Sequence, residues 1–180
     1  MNIAEEFVIL VDQNDQEVGQ MEKLAAHEGG QLHRAFSVCV FNYHQELLLQ
    51  QRAWEKYHSA ALWTNTCCSH PRPGENMEKA AHRRLHEEMG FDCELQEIFY
   101  MQYRFGFSNG LTEHEYDHVF IGYFDRLPKP NNYEVAQWKY MALPEIASVI
   151  ESQSNFFTDW FQLMFAQLKG NSVLLKNPSW

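Results

Sequence analysis

Short apolar runs alternate with turn-forming polar clusters along this chain, and the period of each run separates strands from helices. Phe7–Val11 is an apolar run that ends on Asp12, Gln13, Asn14 and Asp15, the pattern of a strand followed by a turn. Ala35–Asn42 is β-branched and aromatic. It turns through Tyr43–Glu46 into Leu47–Gln51, which predicts a hairpin. Pro71, Pro73 and Gly74 break the chain before the clearest helix, from about Asn76 to Met89. There Ala80, Ala81, Arg84, Leu85 and Glu88 fall at helical spacing, and Gly90 stands where a C-terminal cap belongs. Strand-like runs follow near Cys93–Phe105, Tyr116–Phe124 and Ala136–Met141, then helices near Pro144–Glu151 and Phe156–Leu168. Strands on both sides of a central helix, with helices at the end, predict a mixed-sheet α/β sandwich forming one domain over residues 1–180.

Composition narrows the function. With 45% hydrophobic and 14% aromatic residues the chain can build a core. A formal charge of −10 repels polyanions, so nucleic acid is not an expected partner. A small anion could still bind where basic residues converge. Met1–Leu10 carries Glu5 and Glu6 and lacks the basic start of a secretory signal. The chain also has no apolar run of about 18 residues. A cytoplasmic protein without membrane contact is therefore expected. Cys39, Cys67, Cys68 and Cys93 form neither a CxxC pair nor a disulfide framework. The tail from Asn171 to Trp180 carries no recognisable motif.

Two constellations carry candidate chemistry. Glu87 and Glu88 end the central helix, each four residues after an arginine, Arg83 or Arg84. Taken alone they are ion pairs on a solvated face. The wider stretch Ser69–Phe91 is similar to the Nudix box, with Glu75, Arg83, Leu85, Glu87, Glu88, Gly90 and Phe91 in matching positions. Such a loop and helix hold carboxylates that grip a divalent cation and so neutralise diphosphate oxygens. Ser69 replaces the first glycine of the box and Arg84 replaces a metal-binding glutamate. That second departure argues against diphosphate hydrolysis. The other constellation is His27, His33 and His70 with Glu113 and Glu115. On a strand the two glutamates share a side. Three imidazoles and two carboxylates suit Zn²⁺, Mn²⁺ or Mg²⁺, although nine histidines could supply such a set by chance.

Leu62–Pro71 (LWTNTCCSHP) resembles the active-site segment of type I isopentenyl diphosphate isomerases. Glu22–His27, Leu32–Phe36, Arg52–Lys56, Tyr103-Arg104, Glu113–Glu115 and Phe157–Trp160 resemble further segments of that family, in the same order. The resemblance implies a Nudix fold, a mixed-sheet α/β/α sandwich with additional C-terminal helices. It also implies interconversion of isopentenyl and dimethylallyl diphosphate in isoprenoid biosynthesis. By position it makes Cys68, Glu115 and Tyr103 catalytic. It places a metal on His27, His33, His70, Glu113 and Glu115, and assigns Glu88 to a Mg²⁺ that arrives with the diphosphate. It gives Lys23, Arg52, Lys56 and Ser69 to the diphosphate, with Arg83 a further candidate, and Trp160 to the substrate's hydrocarbon. Bacterial members carry proline where this chain has Asp159. The expected partner is a small prenyl diphosphate and the expected state a monomer, with a dimer left open. A Nudix hydrolase and a metal- or prenyl-diphosphate-binding module without turnover are the competing readings. Neither calls for both Cys68 and Glu115.

Overall fold

In the computed structural model, which describes residues 6–56, 58–153 and 155–171, one nine-stranded sheet is covered by helices on both faces. The readings placed on Met1 to Glu5 and on the tail beyond Asn171 lie outside those residues. The strands are β1 (Phe7–Val11), β2 (Glu17–Glu22), β3 (His33–Phe41), β4 (Glu46–Arg52), β5 (Trp63–Thr64), β6 (Cys67–Ser69), β7 (Leu95–Gly106), β8 (Thr112–Tyr123) and β9 (Val135–Ala142). The helices are α1 (Lys23–Gly29), α2 (Met77–Met89), α3 (Leu143–Ser152) and α4 (Asp159–Lys169). No helix among the described residues is long and apolar enough to cross a membrane.

β3 is the axis. It runs parallel to β8 from His33↔Glu115 to Phe41↔Tyr123 and antiparallel to β1, β4 and β6. Strand alternation sends its residues to opposite cores. Phe36, Val38 and Val40 pack with Ala80, Ala81, Leu85 and Met89 of α2. Cys39 and Phe41 pack on the other side with Trp160, Phe161, Met164 and Phe165 of α4. Burying a side chain such as Leu85 removes apolar area worth about 1.5–3 kcal/mol from water.

Local signals set the helix ends. Asn76 caps α2 by accepting from Lys79 N at 3.1 Å. Gly90 ends it with φ 72°, and a Cβ there would stand 2.1 Å from Lys129 O. Only glycine meets both demands. Pro144 falls in the first turn of α3, where its missing N–H costs nothing.

The structure moves the expected starts of β8 and α4. β8 begins at Thr112, not Tyr116, because Glu113 and Glu115 are buried strand residues whose polarity masks the strand pattern. α4 begins at Asp159, not Phe156, since Phe156 O and Thr158 N bond to Trp63 N and O at 3.1 and 2.9 Å. β2 and α1 were not expected at all. The short α1 is held by the Glu22 carboxylate, which accepts from Leu24 N and Ala25 N, and by left-handed Gly30.

Candidate active site

The segment 63–69 lies between β3 and β4, which pair directly only at Phe41↔Leu47. Its buried polar side chains complete the broken ladder. Thr66 Oγ1 accepts from Val40 N at 2.8 Å and donates to Leu48 O at 2.6 Å, while Asn65 Nδ2 donates to Val38 O and Cys67 O. Because β6 pairs with β3 in the register Val38↔Cys67 and Ser37↔Cys68, the adjacent cysteines face opposite ways. Cys67 joins the core beneath α2, whereas Cys68 lines a cavity with Glu115, Tyr103 and Trp160. Burial pushes the Cys68 thiol up to about 12, so it is protonated at neutral pH.

β8 carries Glu113, Glu115 and Asp117 on the cavity side, each nearly or fully buried. His70 Nε2 and His33 Nε2 approach Glu115 Oε1 at 2.8 and 3.5 Å, and His27 Nε2 lies 4.0 Å from Glu113 Oε1. Burial alone would raise the Glu115 carboxyl, but hydrogen bonds from His33 and His70 hold it well below the usual carboxylate range. Burial opposes charge on His33, and Glu115 outweighs it, leaving His33 raised. Burial holds His70 down at about 3. Tyr103 donates a short hydrogen bond to the other Glu115 oxygen, and burial keeps its phenol protonated.

The donor set suits a divalent cation. Ligand atoms of His27, His33, His70 and Glu115 all lie within 4.8 Å of one another. The Nδ1 atoms of His27 and His33 meet Lys23 O and Gln31 O at 2.6 and 2.8 Å, which turns each Nε2 toward the shared space. The buried Nδ1 of His70 has no hydrogen-bond partner among the described residues. Glu113 belongs to a second, overlapping group with His27 and His58.

Cationic residues form part of the same cavity wall. Lys23, Arg52, Lys56 and Ser69 line the cavity, with Lys23 paired to Glu6 at 3.0 Å and Lys56 paired to Glu134. The Arg52 guanidinium lies 5.2 Å from the Trp160 ring centroid. Trp160 is 2% exposed despite Asp159 before it. Arg84 lines the cavity, whereas Arg83 points to Glu75 at 2.7 Å and to Glu87 at 3.2 Å, away from it. Of the two neighbouring arginines, Arg84 and not Arg83 is thus among the residues lining the cavity. Residues on the cavity side of α2 recur at i and i+4, and Arg84 and Glu88 share that face.

Arg84 also explains the altered box. Its guanidinium bonds Glu88 at 2.6 Å, Glu87 at 2.7 Å and Glu134 at 3.2 Å. Burial alone would lower its pKa, but Glu88 and its other acidic neighbours raise it. Gln50 holds the second Glu88 oxygen at 2.9 Å. Gln50, Glu134 and His58 line the site without any motif to announce them. Arg84 was legible only as a departure from a pattern.

Comparison with known proteins decides the family. Residues 31–161 match the NUDIX domain model. An isopentenyl-diphosphate Delta-isomerase of Pectobacterium atrosepticum is 53% identical over 161 residues, spanning 89% of this chain and 90% of that protein. This chain belongs to the isopentenyl-diphosphate Delta-isomerases of the Nudix superfamily. Isomerases of Burkholderia multivorans and Serratia proteamaculans share 49% and 43% identity, over 89% and 94% of this chain and 91% and 94% of theirs. Among solved structures, a Deinococcus radiodurans protein superposes with TM-score 0.73 at 17% identity, covering 88% of this chain and 96% of its own. A MutT protein of Methanosarcina mazei gives 0.63 at 18% identity over 77% of this chain and 94% of that one. Those two likenesses speak for the Nudix fold alone.

Proposed function

We propose that this chain interconverts isopentenyl and dimethylallyl diphosphate by moving a proton across the allylic unit. The observation that carries the reading is the meeting of Cys68, Glu115 and Tyr103 in one cavity with the His/Glu cluster and the cationic wall. An alkene is a weak base, and its protonation creates a tertiary carbocation that water would capture. Two positioned proton carriers and a closed chamber are therefore needed.

Glu115, bonded to Tyr103, gives a proton to the terminal methylene, and Cys68 takes one from the allylic carbon. This turn leaves Glu115 ionised and Cys68 as a thiol, the forms that burial and the histidines favour in the free protein. From that state the reverse reaction runs directly, with Cys68 as acid and Glu115 as base. The forward reaction requires the proton to return to Glu115 first. Trp160 offers its ring to the cationic carbon, a contact of about 0.5–2 kcal/mol. Lys23, Arg52, Lys56, Ser69 and Arg84 hold the diphosphate. His27, His33, His70, Glu113 and Glu115 would hold Mn²⁺, Zn²⁺ or Mg²⁺, and Glu88 a Mg²⁺ bound with the diphosphate. When bound, these ions neutralise oxygen charge and orient the carboxylates.

The test is NMR of the metal-loaded protein with isopentenyl diphosphate in D₂O. Dimethylallyl diphosphate carrying deuterium should appear. A folded, metal-loaded protein that produces none sinks the reading.

A further inference from the structure

His58 stands in the loop between β4 and β5, outside every segment that drew attention in the sequence, and is 7% exposed. Its ring stacks on Phe107 with centroids 4.8 Å apart and planes 15° from parallel, and it meets the Trp160 ring edge-on at 6.0 Å. A phenylalanine or leucine would serve such packing as well. What only histidine supplies is Nε2, which lies 3.0 Å from Glu113 Oε1. That is a hydrogen-bond distance, and it is shorter than the 4.0 Å from His27 Nε2 to the same oxygen. At its other end, the His58 carbonyl accepts from Arg52 Nη2 at 3.2 Å. Arg52 in turn lies over the Trp160 ring.

We propose that His58 is a positioning residue that fixes the Glu113 carboxylate toward the metal-holding cluster and, through its carbonyl, ties that cluster to the Arg52 side of the cavity. The inference rests on the proposed reading of Glu113 as a metal ligand and Arg52 as a diphosphate contact. Glu113 is 5% exposed and shares the strand with Glu115. A buried carboxylate must be held by donors or it turns toward whatever charge is nearest. The imidazole N–H holds one oxygen and leaves the other free to bind. Groups that orient ligands from outside the coordination sphere commonly change metal affinity 10- to 100-fold.

Two variants separate the hydrogen bond from the packing. His58→Phe keeps the stack on Phe107 and deletes the donor, while His58→Gln places an amide N–H near the position of Nε2. Each is stripped of metal, checked for folding by circular dichroism and titrated with Mn²⁺ by calorimetry, with no substrate present. His58→Phe should bind Mn²⁺ at least tenfold more weakly, and His58→Gln should recover affinity to within about threefold of the parent. In a Glu113→Gln background the Phe substitution should add no further loss, as expected for two residues acting through one contact. Parental affinity in a folded His58→Phe protein overturns the inference. So does an equal loss in both variants, which would mean that restoring the N–H donor restores nothing. His58→Leu replaces the Phe variant should the latter fail to fold. Isomerisation by the parent protein is assayed in parallel. A parent that binds Mn²⁺ without isomerising removes the proposed function while leaving the titrations readable.

Discussion

The two faces of the sheet are built from the same strands to opposite rules. On the α2 face, alternate residues of β3, β6 and β8 (Phe36, Val38, Cys67 and Phe120) meet Ala80, Leu85 and Met89 in an apolar core. On the α4 face, Ser37, Cys68, Glu113, Glu115 and Asp117 interrupt the apolar stripe near one end of the strands, and His27, His33, His58 and His70 close around them. Buried charges cost free energy unless paired and hydrogen-bonded. The α4 face carries that cost where chemistry requires it, and the rest of the sheet offsets it. Asp117 shows how far burial acts there. Its carboxyl is pushed well above the usual range, and Ser37 donates to it at 2.9 Å.

The sharpest way to break this contrast is to exchange the adjacent cysteines. Cys68→Ser should lower kcat by about 10²–10⁴-fold, the range for loss of a proton-transfer group. Cys67→Ser, in the opposite core, should leave kcat near the parental value and lower stability instead. A comparable loss of kcat in both variants would erase the distinction between the faces. Leu85→Ala makes the converse test. It should cost about 2–5 kcal/mol of unfolding free energy by denaturant titration, with activity per folded molecule retained.

A smaller effect compares neighbouring arginines. Arg84→Ala should weaken diphosphate binding by about 1–3 kcal/mol, read as KM or inhibition by inorganic diphosphate. Arg83→Ala should change it far less, because that guanidinium serves Glu75. Equal effects would return Arg83 to the site.

The mildest handle is pH. His70 is held down at about 3, so between that value and the usual histidine range the unfolded chain binds a proton that the folded chain refuses. Stability is therefore full above roughly pH 6.5 and falls as pH drops, by at most about 1.4 kcal/mol per pH unit for this one proton. Metal should strengthen the trend, since its ligands must be deprotonated. Melting curves from pH 7.5 to 5, with and without Mn²⁺, read both. A metal-bound protein with a flat profile would contradict the placement of His70 in the cluster.

Much of this was legible before any fold was known, and the reason differs by region. The α2 face follows from periodicity alone, because an amphipathic helix with an Asn cap and a Gly terminus meets an apolar strand pair. Cys68, His70 and the Glu113/Glu115 pair were legible through resemblance and strand geometry. α1 was missed although Glu22 and Gly30 mark its ends, because a helix of seven residues has too little period to register. The first residues of β8 were missed for the opposite reason, since buried polar side chains imitate a loop.

By itself the sequence determined the elements with strong periodicity, the class of chemistry in Leu62–Pro71 and the shared side that Glu113 and Glu115 take once they lie on a strand. Only the tertiary structure put Arg84 rather than Arg83 on the cavity wall, set Cys67 and Cys68 on opposite sides of the sheet, and brought His58, Gln50 and Glu134 to the cavity. Periodicity and capping are interactions over a few residues, which the order of amino acids displays directly. The choice among candidates rests on contacts such as His58 with Glu113 and Arg84 with Glu134, which join positions far apart in the chain. Their distances exist only once β3, β4, β8 and α2 have packed together.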